Sequence, residues 1–189
     1  MKITEIEAIP VEIPRTPNLN LSSVYGMIPS ARFVIVVVRT DEGLEGLGEA
    51  SLELPWTGED LHSCFYCIRN HLEPALVGQD PLRIQNAISS MDALVAFNPY
   101  AKAAIEMALW DIVGKASDLP LAELWGGRVR ERVAVKFVVS GKPEHAAENA
   151  QKAVESGFRF MKVKTGRDVG DDVQRVRAVR EALGEEIPG

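Results

Sequence analysis

Apolar positions alternate through the first third of the chain. Ile3, Ile6, Ile9, Val11 and Ile13 run in loose two-residue steps as far as Pro14, and residues 32–40 and 44–52 do the same on either side of Asp41-Glu42-Gly43. A two-residue period belongs to strands covered on one face, and a glycine free to take a positive φ closes a hairpin between the second and third of them. The pattern predicts an antiparallel meander of three strands. Residues 16–30, between the first two, hold Asn18, Asn20, Ser22, Ser23, Tyr25 and Gly26 without any period. A polar loop of that length in a compact domain is usually functional or disordered.

The period then lengthens to that of helices. Leu61, Cys64, Phe65, Ile68 and Leu72 fall on one side of a helix over 57–72, opened by Thr57 and Asp60 in a capping-box-like pair. Asp80-Pro81 and Asn98-Pro99 each place a capping side chain before a proline at the first helical position. The second of these helices runs to about Ala116, and its stripe of Ala104, Ile105, Ala108, Leu109 and Ile112 suits close packing. After Gly126-Gly127 the order becomes strand 133–139, helix 143–156, strand 158–164 and helix 168–183. Such a repeating βαβα order implies parallel strands joined by a crossover helix.

Composition narrows the classes of partner. A chain of 189 residues has room for one large domain or two small ones. Its longest apolar run, 33–38, is far short of the roughly 20 residues of a membrane span. The N-terminus lacks the layout of a secretion signal, so a cytoplasmic protein with no membrane partner is expected. A net charge of -6, with one short basic patch at Arg128, Arg130 and Arg132, offers no face for nucleic acid. Cys64 and Cys67 lie too close in sequence to staple distant segments and fit a reducing compartment. With His62 and His71 they superficially suggest zinc, but Cys64 belongs to the apolar helix face, which favours free buried thiols.

The chemistry gathers at FMKVKTG, residues 160–166. Phe158, Phe160, Lys162 and Lys164 share one face of the predicted strand, while Arg159, Met161 and Val163 share the other. Parallel strands are covered on both faces and present ligands at their carboxyl ends, where the two lysines stand. A solvated edge with snorkelling stems is the plain reading. The parallel context favours a second: neighbouring cations hold an anion, and like charge promotes loss of one proton so that one amine serves as a base. Lys136, on the preceding strand, could face either this site or the helices. The glycines of GLEGLGEA lack the order of a dinucleotide-binding turn. Glu106 and Asp111, five apart on one helix, point to separate structural contacts, and Glu49 to a structural hydrogen bond.

AKAAIEMALWDIVGKASDLPLAELWGG, residues 101–127, resembles the signature helix and linker of the mandelate racemase and muconate lactonizing enzyme group of the enolase superfamily. MKITEIEAIPVEIP, GLGEAS, GGRVRERV and KVK agree with that family in the same order. The resemblance implies an α+β capping domain over 1–126, a three-stranded antiparallel meander plus a helical bundle. The start of an α/β (β/α)-barrel over 127–189 would follow it. Family members take the proton beside a substrate carboxylate and stabilise the enediolate on a divalent metal, usually magnesium, with manganese as the alternative. By motif, Lys164 is then the base on one face of the substrate, and Lys162 lies against the carboxylate. Residues 16–30 and 53–58 become lids, with Tyr25, Met27 and Trp56 touching the distal part of the substrate.

The expected activity is that of a muconate-cycloisomerase-like isomerase, a cycloisomerase, racemase or epimerase acting on a small-molecule carboxylate as a homo-oligomer, dimer or octamer. An acid-sugar dehydratase of the mandelate racemase type, or a catalytically dead fragment serving as a binding or assembly module, are the alternatives. A whole barrel takes about 250 residues, so the roughly 60 after the linker fill about two of its eight βα units. The family's metal ligands, on later strands, are expected beyond Gly189. The 189 residues alone are therefore expected to be part of a longer enzyme, to bind no metal at the catalytic site, to be inactive, and to expose an apolar sheet edge.

Overall fold

The computed structural model describes residues 1–16, 21–23, 25–185 and 187, without the side chains of 21–23. Asn18 and Asn20 lie outside the described residues. The chain forms two compact units, Met1–Pro14 with Ser30–Val129 and Arg15–Pro29 with Arg130–Gly189.

The first unit is built on strands β1 (Ile3–Pro14), β4 (Ser30–Thr40) and β5 (Glu45–Leu52), in the antiparallel order β1-β4-β5. This is the expected meander. Thr40 and Leu44 close the β4–β5 hairpin through a 3.0 Å backbone bond, and Gly43 sits at φ 82 as the turn requires. Along β5 burial alternates without a break, which turns Gly46, Gly48, Ala50 and Leu52 inward.

Helices cover that face. They are α1 (Leu54–Thr57), α2 (Leu61–Cys67) running through a π-helical turn (Ile68–Leu72) into α3 (Glu73–Leu76), α4 (Ile84–Leu94), α5 (Pro99–Ser117) and α6 (Leu121–Leu124). Ile6, Val34, Val36, Val38, Ile105 and Leu109 are among the side chains fully removed from water, each worth about 1.5–3 kcal/mol of transfer free energy. The small-residue stripe of α5 has a specific use. A methyl group built on Gly48 would lie 1.8 Å from the Ala104 carbonyl oxygen, and one on Gly46 would lie 2.0 Å from that of Ala108. The helix therefore rests directly on the strand backbone.

Asp111 and Lys115, one turn apart on α5, reach the outer edge of β5. The Leu47 amide donates to Asp111 Oδ2 at 2.9 Å, and Lys115 Nζ donates to the Glu45 carbonyl at 2.6 Å and to Asp111 at 2.8 Å. Glu106 instead accepts from the Trp110 indole at 3.4 Å. The two acids of the signature helix thus make separate structural contacts.

Three helix starts differ from the sequence pattern. The capping box is formed by Asp60 and Ser63, with bonds of 2.7 and 2.9 Å, because the Thr57 hydroxyl is already engaged with the Glu53 and Glu59 carbonyls. Asp80 does not cap a helix. Its carboxylate turns back to the Leu82 amide, and α4 begins only at Ile84. Pro99 does open α5, but Asn98 lies at φ 52 and caps nothing itself. Glu59, 3% exposed, does so in its place.

The second unit holds strands β2 (Leu21–Ser23) and β3 (Gly26–Ile28), strands β6 (Lys136–Val139) and β7 (Phe160–Val163), and helices α7 (Pro143–Glu155) and α8 (Val169–Leu183). The stretch expected as an unpatterned loop contains an antiparallel ribbon, with Ser22 opposite Met27. Each of its strands is only three residues long, too short for a two-residue period to show in the sequence. Strands β6 and β7 are parallel, as the βαβα order predicts, and both are shorter than expected. Val133 and Val135 remain largely exposed. Val139, Ala146, Ala150, Ala153, Met161 and Val179 make the core beneath the two helices.

Candidate active site

The β6–β7 register sets Lys136 opposite Phe160, Phe137 opposite Met161, and Val138 opposite Lys162. Residues directly opposite in a ladder share a face. Phe137, Val139, Met161 and Val163 therefore point to α7 and α8, and Lys136, Val138, Phe160 and Lys162 point the other way. Lys136 belongs to the lysine face. That face lacks the aromatic start expected of it: β7 begins only at Phe160, which is 42% exposed, and Phe158 packs instead against Phe137 on the helix side.

Lys164 directly follows β7, and its amide still donates to the Val139 carbonyl at 2.9 Å, one step beyond the strand. It lines a pocket of about 510 Å³ at the carboxyl ends of β6 and β7, with Met27, Gly141, Lys142, Thr165 and Arg175 among the other walls. Of the five candidates from the sequence, this pocket brings together Lys164 and Met27. Lys162 does not line this pocket; with its side chain turned from the helices, it stands at the rim of a separate groove of about 440 Å³ walled by Met161, Val176 and Leu183. Tyr25, 53% exposed, lies two residues from Met27 without lining the pocket. Trp56 stands on α1 in the first unit, half exposed. The second presumed lid segment is thus a single helical turn, closed by Gly58 at φ 72.

Two groups in the wall of the pocket, Arg175 and Asp172, escape sequence reading. Arg175 on α8, 7% exposed, donates from Nε to the Gly141 carbonyl at 2.5 Å and from Nη1 to the Lys164 carbonyl at 3.0 Å. It also donates to Asp172 Oδ1 at 2.6 Å, and the other oxygen of Asp172 accepts the Gly166 amide at 2.6 Å. The Gly166 amide first, and the guanidinium second, hold the Asp172 carboxyl below the usual carboxylate range. The i, i+3 spacing of Asp172 and Arg175 is visible in the sequence. Their targets are not, because backbone carbonyls leave no mark on it.

No three His, Cys, Asp or Glu side chains stand together as metal ligands among the described residues. These residues do not fit a catalytic divalent ion by themselves. Cys64 and Cys67 are both buried, and burial pushes the Cys64 thiol up to about 12. No helix among the described residues is long and apolar enough to cross a membrane.

A three-stranded antiparallel meander packed against helices, followed by a βαβα unit with parallel strands, defines a capping domain joined to the start of an α/β barrel. Residues 5–126 match the family model of the mandelate racemase / muconate lactonizing enzyme N-terminal domain, and residues 145–188 match that of the enolase C-terminal domain-like family. The chain belongs to the mandelate racemase and muconate lactonizing enzyme family. It is 39% identical to the N-succinyl-L-Arg/Lys racemase of Bacillus cereus, over 99% of this chain and 50% of that one. The crystal structure of that racemase superposes with a TM-score of 0.92, again over 99% and 50%. The hydrophobic dipeptide epimerase of Enterococcus faecalis is 34% identical, over 99% of this chain and 51% of that one. Its crystal structure in complex with Mg and the dipeptide L-Leu-L-Tyr gives a TM-score of 0.92, over 99% and 52%. A chloromuconate cycloisomerase of Cupriavidus necator is 33% identical, over 98% of this chain and 50% of that one. The chain spans about half the length of the curated relatives it matches.

Proposed function

We propose that these residues form the N-terminal part of a divalent-metal-dependent isomerase that takes the α-proton of a carboxylate substrate. In this reading 1–126 is the capping domain and 127–189 the first part of the barrel domain. The single observation that supports it best is the place of Lys164, in a pocket at the carboxyl end of a parallel strand with Met27 beside it. Lys164 as the neutral amine accepts the α-proton and becomes an ammonium, and the C–H bonding pair passes into the enediolate. A proton returned to the opposite face inverts the centre. Met27 contacts the distal part of the substrate; Lys162 against the carboxylate, and Tyr25 and Trp56 at the distal part, join it by resemblance alone.

The substrate class proposed is an N-acylated amino acid. N-succinylarginine and a dipeptide, which the names of two relatives give, both hold an amide nitrogen and a carboxylate on one carbon. Cycloisomerisation is the second reading, favoured by the likeness to the chloromuconate enzyme. Magnesium or manganese, with ligands in the part of the relatives that this chain does not span, is proposed to serve the site. The enzyme is proposed to work in the cytoplasm as a homo-oligomer.

The test is α-proton exchange in D₂O, followed by NMR, in the natural protein that carries these residues. N-succinylarginine, L-Leu-L-Tyr and muconate are offered with Mg²⁺. Exchange of one of the first two, lost in Lys164→Ala, supports the reading. Turnover of muconate alone moves the protein to the second. A Lys164→Ala variant unchanged with both stereoisomers of the substrate removes Lys164 from the mechanism.

A further inference from the structure

We infer that Arg175 and Asp172 are the positioning pair for Lys164, fixing where its amine reaches in the pocket; this rests on the reading of Lys164 as the base. Every bond the guanidinium is shown to make ends on the wall of one pocket: the Gly141 carbonyl after β6, the Lys164 carbonyl after β7, and the Asp172 carboxylate. Asp172 extends the clasp to the Gly166 amide. With the Lys164 amide held by the Val139 carbonyl, the backbone on both sides of the Lys164 side chain is pinned, from strand end to glycine turn.

Stability alone does not call for such a device. A buried ion pair is often replaced by apolar side chains of equal volume without loss. A planar fork, in contrast, can hold two carbonyls from two different βα loops and one carboxylate at fixed angles, which a single ammonium cannot. The clasp joins the loop after β6 to the first residue after β7, so it sets the distance between the two sides of the pocket as well as the backbone of Lys164. A shift of about 1 Å in a reacting group costs roughly 100-fold in rate.

The test uses the natural protein with Mg²⁺ and both stereoisomers of the substrate it turns over, N-succinyl-L- and D-arginine or L-Leu-L-Tyr and L-Leu-D-Tyr. Lys164→Ala should abolish α-proton exchange from one stereoisomer and spare the other, which marks the face Lys164 serves. Arg175→Lys should lower kcat for exchange from that same stereoisomer about 100-fold, with KM and the opposite stereoisomer little changed. Asp172→Asn should do the same more mildly, and it keeps the test open should Arg175→Lys fold poorly. An equal loss from both stereoisomers, in step with a fall in Tm, makes the pair a structural one and overturns the inference. A Lys164→Ala variant that exchanges both stereoisomers normally, or a wild-type protein that exchanges neither, overturns the reading beneath it and the inference with it.

Discussion

Glu59 caps the backbone of Tyr100 from 41 residues away: its Oε1 accepts the Tyr100 amide at 2.7 Å while Oε2 accepts that of Ala101 at 3.3 Å. The first amides of α5 would otherwise be buried without partners, since Asn98 is turned into the left-handed region. Glu59→Ala should cost about 2–3 kcal/mol, a lost cap plus an unsatisfied buried donor. Glu59→Gln should cost less, because an amide oxygen still accepts. Urea unfolding of the two variants measures both, and an alanine variant within about 0.5 kcal/mol of wild type would remove Glu59 from this role.

Close approach at Gly48 leads to a second expectation. The Ala104 carbonyl occupies the place of any added methyl, so Gly48→Ala must push α5 off the sheet, at about 3 kcal/mol or more. Gly43→Ala meets no atom within 4 Å and should cost only the positive φ, about 1–2 kcal/mol. Thermal denaturation separates the two. Equal shifts in Tm would mean that the helix does not rest on the strand as described.

Protonation of Asp172 gives a third. Its carboxyl is held below the usual range by the Gly166 amide and by Arg175, so the ionised form stabilises the fold. That stabilisation is complete above the unfolded pKa of about 4 and is lost as pH falls through the lower folded value. Wild type should therefore lead Asp172→Asn in Tm at pH 7, and the lead should shrink towards pH 3. A gap that stays constant over that interval would show that the carboxylate charge is not what the clasp uses.

Thiol chemistry supplies the fourth. Burial raises Cys64 to about 12 and raises Cys67 as well, and the thiolate is the reactive form. Iodoacetamide at pH 8 should leave both cysteines of the native protein largely unmodified over minutes and alkylate both in urea. Rapid native labelling at Cys64 would contradict its place in the core of the first unit.

Much of this architecture is legible in the chain because burial writes a period. Burial alternates through all eight residues of β5, and the sequence follows it except at Leu47, an apolar side chain on the exposed face. The parallel pair β6–β7 likewise follows from the order of its elements. What remained hidden shares a cause. Glu59, Arg175 and Asp172 act on backbone amides and carbonyls that every residue possesses, so nothing in the sequence announces their partners. Asp80 and Thr57 had the right chemistry for caps, and local turns claimed their oxygens first. At the site, the ladder register settled the side chosen by Lys136, which alternation alone could not anchor.

The bonds from Asp111 and Lys115 to Leu47 and Glu45 bear on how the molecule behaves in a crowd. A bare edge strand offers its amides and carbonyls to any extended chain that drifts past. Here a neighbouring copy arriving at the outer side of β5 finds these two groups already occupied, by a negative and a positive side chain in the same order in which an intruding strand would present them. The signature helix thereby leaves this stretch of the strand edge fewer free groups with which to extend the sheet.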